Sequence, residues 1–196
     1  MKAGSKIKVI TPELSVKEEL ETVCCLLSLG IDIHLRKPGW SDDRMRAYLY
    51  KLPDKHLSQI SVHGNWNLME HGMGGLHLNS NQIICHKNDF RLSKSFHSIE
   101  AIENCNMELS YGFLSPVFDS ISKKNYQTSF NKYDLTRKLM SMKKQMKIYA
   151  LGGIKPENVK DCVHMGFDGI AVFGSIWGEP DLKTRMLQCE KFLAYA

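Results

Sequence analysis

Four of the chain's eight histidines, His34, His63, His77 and His97, close or directly follow short, largely apolar runs. Arg36 stands two residues beyond His34, Ser95 two before His97, and Ser120, Ser122 and Lys123 share one polar segment further on. Imidazole titrates near neutrality and can take or give a proton. Arginine and lysine neutralise phosphate, carboxylate or diphosphate oxygens. Together these residue types suit proton transfer on a small anionic molecule, with His34, His63, His97 and Lys123 as candidate catalytic groups. Two pairs, Gly152-Gly153 and Gly174-Ser175, also end apolar runs. Glycine there leaves backbone N–H groups open to close approach by an anion such as phosphate. The plainer alternative is that both pairs only end strands and start turns. For each histidine taken singly, a hydrogen-bonded place in the interior is the ordinary alternative. No two of them show the spacing of zinc ligands, so no metal site is expected. Ser115-Pro116 does not fit the Gly-x-Ser-x-Gly pattern of a serine nucleophile.

The elements that must carry these residues follow from hydrophobic periodicity. Residues 147–177 read as a short apolar strand, a helix opening at Pro156 and a second apolar strand, which is a βαβ unit with parallel strands. Both glycine-containing pairs therefore lie at one edge of the sheet, beyond the strands' C-terminal ends. Upstream, strands are expected at 6–11, 31–36, 59–63, 76–78, 90–96 and 111–115. Helical spacing of Val16, Leu20, Val23 and Leu27 marks a helix stopped by Gly30. Ser41, Ser98 and Asp134 are expected to cap three more helices. A last helix from Pro180 is expected to bury Leu182, Met186, Cys189 and Leu193. About a dozen residues separate the fourth and fifth strands, so the helix there is expected to be reduced to a turn. Eight short strands alternating with helices predict a compact α/β chain, one (β/α)₈ TIM barrel over 1–196, with an open doubly wound sheet as the other arrangement. In such a barrel the C-terminal strand ends form the active-site rim, where the histidines, Arg36, Ser95 and the glycine pairs all fall.

Composition bounds the partners. At 196 residues and 43% hydrophobic, the chain can bury one sizeable core. The net charge of +5 is mild, and no aromatic stripe interleaves the basic residues, so no nucleic-acid partner is expected. A mouth that attracts phosphorylated small molecules accounts for the same charge. The six cysteines lack Cys-x-x-Cys spacing, which suits a reducing cytosol. No apolar run reaches membrane-spanning length, and a soluble, cytoplasmic protein is expected.

Six motifs then follow one another in order: His34-Leu-Arg36-Lys37, Gly75-Leu-His77-Leu78, Ser95-Phe-His97-Ser98, Ser115-Pro-Val-Phe-Asp-Ser-Ile-Ser-Lys123, Ala150-Leu-Gly-Gly-Ile154 and Gly169-Ile-Ala-Val-Phe-Gly-Ser-Ile176. Over nearly its whole length the chain resembles the thiamin phosphate synthase and TenI-type thiazole tautomerase family. The resemblance implies a (β/α)₈ barrel that binds a thiazole phosphate, with its phosphate at Gly152, Gly153, Gly174 and Ser175. In the synthase branch a pyrimidine diphosphate is the second substrate and Mg²⁺ assists departure of pyrophosphate. The resemblance then implies that Arg36, Ser95 and Lys123 contact the diphosphate and that Ser120 and Ser122 lie beside thiazole and pyrophosphate. A homodimer is among the assemblies expected.

The chain departs from the synthase pattern where magnesium is concerned. An Asn-Asp pair is expected after the third strand, and His63-Gly64 stands there; a second Asp is expected after the fourth, and Asn81-Gln82 stand there. Magnesium requires oxygen ligands that normally include one or two carboxylates. Lys37 precedes the family's lysine position, which holds Pro38, and Pro116 occupies the tautomerase branch's histidine position. The sequence therefore favours proton transfer without a cofactor through His34, His63 or His97, with Mg²⁺-dependent coupling as one alternative. A non-catalytic barrel that only binds thiazole phosphate is the other.

Overall fold

The computed structural model describes residues 5–79, 81–82, 84, 89–119 and 130–195, excepting the side chains of Glu70 and His71. Eight parallel strands, β1 (Ile7–Ile10), β2 (Asp32–Leu35), β3 (Ile60–His63), β4 (Gly75–Leu78), β5 (Arg91–Phe96), β6 (Tyr111–Leu114), β7 (Lys147–Leu151) and β8 (Gly169–Val172), pair in sequence order. Pairing of β8 with β1 closes the barrel. Each strand matches an expected one to within a residue or two. Helices α1 (Glu19–Ser28), α2 (Asp42–Leu49), α3 (Ile99–Glu103), α4 (Lys132–Ser141), α5 (Val159–His164), α6 (Gly174–Trp177) and α7 (Leu182–Leu193) surround it. Between β4 and β5 no helix occurs among the described residues.

Two-residue alternation assigns every strand side chain to one of two compartments. Ile7, Val9, Ile33, Leu35, Ile60, Val62, Leu76, Leu78, Ile148, Ile170 and Val172 face outward and join the helices in one apolar core. The opposite parity faces the barrel axis, where Ile10, Tyr111, Phe113, Tyr149 and Ala171 form a second, smaller core. Lys8, Asp32, His34, Ser61, His77 and Ser93 share that inner parity and are buried. The barrel is thus lined by polar groups on its first five strands and by aromatic rings on β6 and β7.

Helix starts follow capping chemistry, with two corrections. Ser41 and Ser98 cap α2 and α3 as expected, accepting from the amides of Arg44 and Ala101. Asp134 does not cap α4; Asn131 does, accepting from the amides of Tyr133 and Asp134. Both residues suit an N-cap, and periodicity alone does not say which turn comes first. In α7 the buried residues are Arg185, Cys189 and Phe192, not Leu182, Met186 and Leu193. Arg185 sits inward because its guanidinium is satisfied there by the carbonyls of Lys17 and Glu179 and by Thr22 Oγ1.

Lys37, next to Arg36, is buried. Its ammonium lies 2.7 Å from Glu19 of α1, with the two side chains 0% and 4% exposed. Removing one partner of such a pair strands a buried charge, at a cost of about 3–5 kcal/mol. Glu19→Ala is expected to lose that much in urea unfolding, and a Glu19→Leu, Lys37→Met double variant to recover most of it.

Candidate active site at the barrel rim

Strand register brings three of the four strand-end histidines together. His63 on β3 is level with His77 on β4, and His34 on β2 is level with Ser61, one inner position below His63. His34 Nδ1 lies 3.0 Å from His63 Nε2, and the His63 and His77 rings stack with centroids 4.3 Å apart. His34 Nε2 is 2.7 Å from Tyr111 Oη, which is 3.2 Å from Ser61 Oγ. His77 Nδ1 and Nε2 meet Ser93 Oγ at 2.9 Å and Ser95 Oγ at 3.1 Å. One ring nitrogen from each of His34, His63 and His77 lies within 4.8 Å of the others.

Burial decides the charge of this cluster. Loss of water disfavours imidazolium. It holds His34 and His63 well below the ordinary histidine range and pushes His77 down to about 3. Charge on neighbouring histidines adds to the effect at His34 and His63, and the Arg36 guanidinium adds to it at His63 and His77. At neutral pH all three rings are neutral. His34 and His77 are buried, whereas His63 is half-buried. Deeper in the barrel, Lys8 Nζ pairs with Asp32 at 2.8 Å and lies over the Tyr111 and Tyr149 rings. A chain of polar contacts therefore runs from Ser61 through Tyr111 and His34 to His63 at the rim.

The other expected site residues distribute unevenly. Arg36 stands at the rim, its guanidinium paired with Glu13 and its amide bonded to Thr11 Oγ1. Ser95 belongs to the cluster through His77. His97 does not: it is exposed, its Nδ1 lies 2.9 Å from the Ser115 carbonyl, and it lines a separate groove with Glu100, Phe130, Asn131 and Lys138. Ser120, Ser122 and Lys123 lie outside the described residues.

Gly152-Gly153 and Gly174-Ser175 follow the C-terminal ends of adjacent strands and so share one pole. Gly152 and Gly153 have φ of +95° and +65°, and a Cβ on Gly152 would come within 2.8 Å of Pro116 Cα. On Gly153 it would strike the Asp119 carbonyl. The carbonyls of Gly152 and Gly153 accept from the Phe118 amide and the Asn158 side chain. Among the described residues, the amides of Gly152, Gly153, Gly174 and Ser175 donate none of the backbone hydrogen bonds outside helices and strands. Ser175 is 7% exposed, and its hydroxyl has no hydrogen-bond partner among the described residues. Buried polar atoms are ordinarily satisfied, so this orphaned hydroxyl beside open amides suits an anion.

At the positions where the resemblance implies magnesium ligands, Gly64 and Asn81-Gln82, no carboxylate stands. Gly64 has φ +68°, and a Cβ there would meet the Asn79 amide nitrogen at 2.5 Å. Gln82 closes the turn, donating to the Gly64 carbonyl and accepting from the Asn79 amide. The side chains beside Gly64 are thus neutral amides, whereas magnesium normally takes one or two carboxylates.

Sequence reading placed His77 at the rim but not among the site residues, and it passed over Tyr111, Ser61 and Ser93. Their signal was inner parity: Asp32-Ile-His34, Ser61-Val-His63 and Ser93-Lys-Ser95 each put polar groups two apart on one strand face. Likewise, the absence of ligand spacing along the chain says nothing about neighbours brought together across strands.

Residues 7–176 match the family profile described as thiamine monophosphate synthase. The chain is similar to the crystal structure of thiamine phosphate pyrophosphorylase from Bacteroides thetaiotaomicron, at 25% identity over 97% of both chains with a TM-score of 0.82. It is also similar in fold to thiamine phosphate pyrophosphorylase from Pyrococcus furiosus, at 20% identity over 96% of this chain and 94% of that one, with a TM-score of 0.69. No curated protein matches it.

Proposed function

The chain belongs to the thiamine monophosphate synthase family, and from that premise we propose that it binds a thiazole phosphate at the barrel rim and moves a proton on the thiazole ring. The observation that carries this reading is the Gly64, Asn79 and Gln82 turn, where neutral amides stand in place of the carboxylates that coupling chemistry needs. The phosphate is assigned to the amides of Gly152, Gly153, Gly174 and Ser175, with the unpartnered Ser175 hydroxyl completing the cup. Arg36 supplies positive charge at the same rim. His63, the most accessible member of the cluster, is the proton acceptor. His34 and Tyr111 orient it from below, at 3.0 and 2.7 Å along the chain of contacts. A neutral imidazole is the form a general base requires, and the burial that keeps His63 neutral also weakens it as an acceptor.

Coupling of a pyrimidine diphosphate with the thiazole phosphate is the second reading, supported by the similarity at 25% identity to a thiamine phosphate pyrophosphorylase. Supplying both substrates with Mg²⁺ separates the two. Little or no thiamin phosphate is expected; robust formation that EDTA abolishes would reject the proton-transfer reading. Binding of thiazole phosphate with neither reaction would mark a non-catalytic binding protein.

A further inference from the structure

We infer that His34, His63 and His77 form a site for one divalent transition-metal ion of the zinc class, loaded from the barrel rim.

Ligand type points to this class. Three imidazoles with no carboxylate suit zinc, cobalt, nickel or copper, and are a poor set for magnesium or calcium. Asp32, a carboxylate on the same inner face, is committed to Lys8 at 2.8 Å. Geometry comes next. In a four-coordinate zinc site with bonds of about 2.0–2.1 Å, neighbouring ligand nitrogens stand about 3.3 Å apart. His34 Nδ1 and His63 Nε2 are 3.0 Å apart, and all three donor atoms lie within 4.8 Å of one another. The His63 and His77 rings stack at 4.3 Å without an ion, so one of them must turn out of the stack for both to reach it. The strands that carry the rings are held by the barrel ladders, so the ligands are fixed before an ion arrives.

The surroundings supply what metal-bound histidines need behind them. A ligating imidazole usually donates its other N–H to a fixed oxygen, which sets the tautomer. His34 Nε2 has Tyr111 Oη at 2.7 Å, leaving Nδ1 free to face the ion. His77 has a serine hydroxyl at each nitrogen, so one can yield to the ion while the other remains as the outer contact. His63, half-buried, gives the path from solvent. Without an ion, the His34 and His63 nitrogens share a proton; the ion would take its place.

The test needs no substrate and is run apart from the proton-transfer assay, because an ion on His63 would occupy the nitrogen assigned as proton acceptor and that assay therefore uses the metal-free chain. The full chain, stripped with a chelator, is titrated with Zn²⁺ and with Co²⁺, and metal retained after gel filtration is measured. A single ion per chain is expected, with visible Co²⁺ absorption of the four-coordinate kind. His63→Ala and His77→Ala should each weaken retention by at least about tenfold, given that loss of a mere outer contact already costs about 10–100-fold. His97→Ala should leave retention unchanged. Should His77→Ala fail to fold by circular dichroism, the half-buried His63 decides alone. No ion retained by the unaltered chain, or equal retention by folded His63→Ala, would overturn the inference.

Discussion

Between about pH 6.5 and pH 5, the metal-free protein should lose several kcal/mol of stability. Unfolded histidines protonate near about pH 6.5. Burial holds those of His34, His63 and His77 below that value in the folded state, His77 down to about 3. Over this window the unfolded chain binds more protons than the folded one, so stability falls as the pH falls. The sign is that of a folded-state pKa depressed below the unfolded value. A fully titrating imidazole contributes about 1.4 kcal/mol per pH unit; His77 does so across this window, and His34 and His63 act in the same direction. Set against a typical total of about 5–15 kcal/mol, that slope matters. Urea midpoints at pH 7, 6 and 5 measure it, above the range where carboxylates titrate. His77→Gln should make the limb shallower by about 1.4 kcal/mol per pH unit. A midpoint unchanged from pH 7 to 5 would show that the rings are charged or solvated in the folded state.

The second large effect is catalytic. Replacing His63 with Asn keeps a polar side chain of similar reach but removes the titratable nitrogen. General-base contributions run to about 10²–10⁴-fold, so kcat for proton exchange on the carboxythiazole phosphate should fall by that range. Affinity for the ligand should change little, because the proposed reading assigns the phosphate to the glycine pole and Arg36 rather than to His63. Ser175→Ala should do the reverse, raising KM with kcat nearly preserved, as expected when binding is lost equally from ground and transition states. A His63→Asn variant with unaltered kcat would exclude the histidine cluster as the proton acceptor.

Much of the barrel was legible because its outer face is written in plain alternation. Ile7 and Val9, Ile33 and Leu35, and Ile60 and Val62 sit two apart on strands whose ends glycine, proline or charge mark. The glycine pairs were equally legible, since a strand, a helix and a second strand between residues 147 and 177 allow only one pole for both. Less visible was what lies across the barrel. Nothing along the chain says that His34, 29 residues before His63, approaches it to 3.0 Å; register decides that. Nor does the chain say what Lys37, one residue beyond Arg36, pairs with. Successive residues near a strand end point to opposite faces, and Lys37 is buried against Glu19. The α7 stripe shifted by one position because Arg185, which composition would place in solvent, found three internal acceptors. Local pattern fixes which face a side chain takes only when the partners waiting there are ordinary.

The proposed reading joins the amides after β7 and β8, the neutral histidine cluster on β2, β3 and β4, and the turn at Gly64 in one chemistry: a phosphate held at one side of the rim while a ring proton is moved at the other. Incubating the protein with carboxythiazole phosphate in deuterium oxide tests this most directly. Solvent deuterium is expected to enter the thiazole at a rate proportional to protein concentration. Bound ligand that gains deuterium no faster than it does in buffer alone would contradict the account.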